Sequence, residues 1–169
     1  MSSRSLFISF VAILALFSSL FLFAGQTSKP IPWKDVKRIF EKLKIEHKVS
    51  KADDGSEMLL CTWKPQGWTM AMDVSLSDDQ RILWIVIKLK KIEDPTKTPV
   101  VAMMSLLEEN DNIGPAYFSC EKESHQLLFN DPIVNLGITL EGLDEELQRV
   151  IEILKRTQKH WDPALWPKT

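Results

Sequence analysis

With 169 residues, 44% of them hydrophobic and 26% charged, the chain has the make-up of one globular domain and too little charge to stay disordered. Its 21 lysines and arginines are interspersed with 23 acids. There is no basic stripe of the kind nucleic acid selects, which argues against nucleic-acid binding, and no second core is expected.

The first element is apolar. Residues 6–24, LFISFVAILALFSSLFLFA, follow Arg4 and lead into the polar stretch 25–30. A signal peptide has an apolar core of about 7 to 15 residues and a spanning helix needs about 20, so the run stands between the two. Residues 1–24 are expected to be a signal peptide or membrane anchor, 25–32 a linker, and 33–169 a single α+β domain. The domain is then exported, periplasmic or secreted, or held by an uncleaved helix, and touches membrane only through that segment. Without Arg4, 20 basic residues stand against 23 acids.

Trp33, Val36, Phe40 and Leu43 recur at helical steps, and the helix is expected to end over the basic residues 44–48. Asp53-Asp54-Gly55 supplies turn chemistry. The period then becomes two. Strands are expected at 57–64, carrying Leu59, Cys61 and Trp63, at 68–76, and at 82–89, separated by Pro65-Gln66-Gly67 and by 77–80. The third, ILWIVIKL, is apolar on both faces, so it should be central with something covering each side.

Prolines within 94–99 break the sheet, and Val100, Met103, Met104 and Leu107 restart a helical spacing that stops within 110–115. Strands at 116–121 and 126–133 flank a polar turn, and Pro132 pushes the later one toward an edge or an early end. Thr139 can cap a last helix striped with Leu143, Leu147, Val150, Ile151 and Leu154. Acids in its first turns and Lys155, Arg156 and Lys159 in its last suit the helix dipole. The order is α-β-β-β-α-β-β-α, an α+β fold whose antiparallel sheet carries helices on one face.

Leu106-Leu107-Glu108-Glu109-Asn110, then Ala116-Tyr117-Phe118-Ser119, then the helix from Gly142-Leu143 to Trp161-Asp162-Pro163-Ala164-Leu165 occur in the order of the YbjN family. The chain resembles that family, whose domain shares the fold of the class I type III secretion chaperones. The resemblance implies a compact domain that binds protein segments, often as a homodimer, with no catalytic residues. The apolar leader departs from the secretion chaperones, which work in the cytosol.

His47, His125 and His160 fall in different elements, at no metal-ligand spacing to one another or to a cysteine. No phosphate-binding glycine loop, dinucleotide fingerprint or nucleophile elbow occurs, so neither catalysis nor a metal or cofactor is expected. Cys61 and Cys120 sit in strand-like segments, and spacing leaves open whether they pair. Trp63 and Trp68 flank one turn, either as a cross-strand pair or as a platform for a ligand. Methionines at 70, 72, 103 and 104 either fill the core or offer an adaptable surface. The candidate binding surface is Trp63, Trp68, Ile82, Trp84, Val86, Met103 and Met104. The function expected is a non-catalytic protein- or peptide-binding domain; the alternatives are an envelope enzyme with an unrecognised site and a structural subunit of an envelope complex.

Overall fold

The computed structural model describes residues 29–52 and 54–167. The expected leader at 1–24, residues 25–28 of the linker and Asp53 lie outside the described residues. Among the described residues no helix is long and apolar enough to cross a membrane.

Helix α1 (Trp33–Lys42) buries Val36 and Phe40, one turn apart, as their spacing requires. It does not run on through the basic residues. The chain reverses at Lys44, whose φ is +57°, and Glu46–Lys51 forms a strand, β1, that the sequence analysis did not anticipate. The reason is physical: EHKVSK has one apolar residue, Val49, and that residue is 51% exposed, so burial leaves no alternation to read. Pairing with β2 (Glu57–Trp63) makes the strand, in register from Glu46 opposite Thr62 to Lys51 opposite Glu57. Charged residues along such an edge discourage further pairing.

Tight turns then link β2 to β3 (Met70–Leu76) and β3 to β4 (Ile82–Lys91). In the first, Trp68 N–H bonds to the Pro65 carbonyl at 2.9 Å while Gln66 and Gly67 take positive φ. In the second, the Asp79 carboxylate accepts from Ser77 Oγ and Arg81 N–H. Asp94 caps a short 3₁₀ turn, Pro95–Lys97, by accepting from Thr96, and α2 (Val100–Ile113) follows. Next come β5 (Tyr117–Cys120), β6 (Gln126–Val134) and α3 (Leu140–Trp161). Thr139 Oγ1 caps α3 by accepting from Gly142 N–H at 3.0 Å.

All six strands form one antiparallel sheet in the order β1-β2-β3-β4-β6-β5. Pro132 is accommodated because β5 stops opposite Asn130, so beyond that point β6 has a partner only in β4. One face of the sheet is sealed. Leu59, Val74 and Ile85 lie in one cross-strand row and Cys61, Met72, Ile87, Phe129 and Phe118 in the next. These residues share a single core with Val36 and Phe40 of α1, Leu106 of α2, and Leu143, Leu147 and Leu154 of α3. Each fully buried side chain of this size contributes about 1.5–3 kcal/mol, and they decide on which face the helices settle.

Candidate binding surface

The strand period of two sends every alternate residue to the other face. Met58, Ser75, Trp84 and Pro132 make one row there, and Leu60, Asp73, Val86, Asn130 and Tyr117 the next. Thr62, Ala71, Lys88, Leu128 and Ser119 make a third. Met58, Leu60, Ile82, Trp84, Val86 and Leu128 are half-buried and belong neither to the core nor to the side chains packed on it. Among the described residues, the helices pack on the opposite face. This open sheet face, apolar at β2 and again at β4, β6 and β5, is the candidate site.

A second apolar surface lies on α2. Val100 and Val101 are 74% and 76% exposed, and Met104 and Leu107 follow one and two turns on at 50% and 58%. The buried side of the helix carries Ala102, Leu106 and Ile113. Its far end is fixed to the sheet, because the Asn110 side chain bonds both backbone groups of Phe118 on β5. Arg156 of α3 also meets Glu109 in an ion pair.

The residues singled out in the sequence divide among three places. Ile82, Trp84 and Val86 are brought together on the open face, alternating with Leu83, Ile85 and Ile87 on the sealed one. Met104 is exposed on α2, whereas Met103 packs against the core. Trp63 is only 7% exposed and belongs to the core, opposite Met70. Trp68 does not face it; it meets Trp161 edge-on, ring centroids 5.8 Å apart at 82°. The turn at 65–67 sends Trp68 toward the end of α3, so the two tryptophans do not form a cross-strand pair. Cys61 and Cys120 are free. Strands β3, β4 and β6 lie between their strands, roughly 19 Å of sheet at about 4.8 Å per strand, far beyond disulfide reach.

Two polar groupings bear on chemistry. Asp131 on β6 is 1% exposed, and Arg149 Nη2 lies 3.1 Å from its Oδ1. Arg149 also pairs with Glu146 one turn back on α3 and reaches the Ile113 carbonyl at the end of α2. Burial first, then hydrogen bonding to Glu146, pushes the Asp131 carboxyl up to about 7 against the pull of Arg149. Asp131 is sealed under α3, while Arg149 and Glu146 are half-buried, and the group ties β6, α3 and α2 together. A hollow of about 430 Å³ beside the 77–80 turn holds Glu57, but its carboxylate is already engaged. Lys37 at 3.2 Å and Trp33 Nε1 at 2.8 Å hydrogen-bond to it and hold its pKa below the ordinary range. Among the described residues no group of three or more histidines, cysteines and acids is placed to hold a metal.

No family model matches the chain and no curated protein matches its sequence, so the YbjN resemblance has no match of either kind behind it. A solved structure does match in fold. A chain in the structure of the HopA1-SchA chaperone-effector complex superposes with a TM-score of 0.51 at 12% identity, covering 77% of this chain and 99% of that one. The α+β fold is therefore that of a component of a chaperone-effector complex, and at this identity the likeness is one of fold alone.

Proposed function

We propose that this chain is a non-catalytic, chaperone-like domain that holds a segment of a partner protein on its open sheet face. The observation that carries this reading is the placement of Trp84, Val86, Met58 and Leu60 on a face that no helix among the described residues covers, in a fold shared with a component of a chaperone-effector complex. Apolar residues on a flat sheet give area without bond directionality, which suits a surface that takes peptide rather than one that performs a reaction. The stripe Val100, Val101, Met104 and Leu107 serves self-association of two copies. Residues 6–24 take the domain to or across a membrane.

The test is photocrosslinking in intact cells from single positions. A crosslinker at 84 or 86 should trap a discrete partner band, one at 104 should trap a second copy, and one at 145 on exposed α3 should trap neither. Equal bands from 84 and 145 would refute the docking face. A reporter active only after export, fused at the C-terminus, should be active; a silent one would refute the targeting role.

A further inference from the structure

Along β3 the open face presents only the short side chains of Ala71, Asp73 and Ser75. On one side β2 raises Met58 and Leu60, and on the other β4 raises Trp84 and Val86. The axes of the two flanking strands stand about 10 Å apart, so β3 is the floor of a shallow trough that admits one row of side chains from a segment laid along it. Charge around the trough is unbalanced. Lys64 bonds Glu46 at 2.9 Å and Lys88 bonds Asp73 at 2.8 Å. Lys48, opposite Leu60, and Lys91, opposite Gln126, share this face, and neither makes an ion pair among the described residues. Glu121, whose N–H bonds the Gln126 carbonyl, follows Ser119 on this face, so the four lysines stand against three acids, Glu46, Asp73 and Glu121, on a chain whose net charge is −2. Acids gather instead on α3, at Glu141, Asp144 and Glu145, behind the sheet.

We propose that the trough over β3 takes an acidic, amphipathic segment of the partner, which rests on the reading of this face as the docking surface. Apolar side chains of the segment lie between Met58 and Leu60 on one wall and Trp84 and Val86 on the other. Its carboxylates meet Lys48 and Lys91, whose charge is unspent within the domain. Charge decides against a second copy stacked face to face, because that would oppose lysines to lysines. The Asp73–Lys88 ion pair on the floor decides against a bilayer, because hydrocarbon laid across the apolar walls would cover that pair and offer it no polar partner.

Two labelled peptides of about five helical turns test this, sharing leucines at helical spacing but filled out with Glu in one and Lys in the other. Anisotropy is read against the protein as isolated from cells, beside sedimentation with phosphatidylglycerol vesicles. The Glu peptide should bind at least about tenfold tighter than the Lys peptide and weaken in about 0.5 M salt. The double variant Lys48→Glu/Lys91→Glu should remove or reverse the preference. Both substitutions sit on exposed side chains and leave the ion pairs of Lys64 and Lys88 in place. Equal binding of both peptides, abolished by Trp84→Glu, would overturn the acidic partner and leave the docking face standing. Binding of vesicles but of neither peptide would overturn both, as would a dimer that Trp84→Glu dissociates.

Discussion

Asn110 Nδ2 donates to the Phe118 carbonyl at 3.1 Å, and Asn110 Oδ1 accepts from the Phe118 N–H at 2.6 Å. The amide gives β5 the two bonds another strand would have given, which closes that edge of the sheet and fastens α2 to it. The Phe118 ring, on the sealed face, meets Phe129 edge-on at 5.1 Å. Asn110→Ala should cost about 2–3 kcal/mol by leaving both backbone groups without partners, and should speed amide exchange at Phe118. Denaturant unfolding with hydrogen exchange checks it; a loss under about 0.5 kcal/mol would mean water replaces the amide.

Asn135 fastens the other end of the sheet. Fully buried, it donates through Nδ2 to the Ile31 carbonyl at 3.0 Å and the Gln80 carbonyl at 2.7 Å, while its backbone N–H bonds the Arg81 carbonyl. It thereby ties Ile31 to the turn at Gln80, beside the bridge between Pro30 and Leu136. Asn135→Leu takes the donor from the Ile31 and Gln80 carbonyls and should cost about 1–3 kcal/mol in thermal or denaturant unfolding.

Asp131 sets a pH dependence whose sign follows from its raised pKa. The folded state holds the proton up to about pH 7 while the unfolded carboxyl releases it near its ordinary value of 3.8. The folded state therefore binds more protons between those values, and stability falls as pH rises from about 4 through 7. For Glu146 burial is outweighed by hydrogen bonds to Arg149 and Asp131, which lower its pKa, so it acts in the opposite sense below its ordinary value of 4.5 and overlaps only the foot of that window. Asp131→Asn keeps the shape and the neutral hydrogen bonding. Its melting temperature should stay level between pH 5 and 7, where the wild type declines; parallel curves would refute the assignment.

The meander, the terminal helix with its Thr139 cap and the two-faced β4 were legible because burial imposes period on their residues. Strand β1 was not, since an edge strand of EHKVSK buries nothing that would mark it. Asn110 looked like a helix-end residue, but α2 runs on to Ile113 and the amide serves a strand met only in three dimensions. Trp63 and Trp68 flank one turn, yet nothing local could say that Trp68 turns toward Trp161, almost a hundred residues away.

The thiols should differ. Burial, then the charge of Asp73, pushes Cys61 up to about 12, while Cys120 is exposed with a pKa raised less far, by partial burial and then by Glu121. An aromatic disulfide reagent should titrate one thiol in the native protein, slowly, and two after denaturation. No titratable thiol in the non-reduced denatured protein would contradict free cysteines.

The open face is tested most directly by two neighbouring residues of β4. Trp84 is half-buried on the open face and Ile85 is fully buried on the sealed one. Unfolding free energy and partner crosslinking are measured for Trp84→Glu and Ile85→Glu side by side. Trp84→Glu should fold within about 1 kcal/mol of wild type, the scale of cross-strand packing, and lose the crosslinked partner. Ile85→Glu, burying a charge without a partner, should not fold. If Trp84→Glu also fails to fold, or folds and keeps its partner, the open face is not where this protein binds.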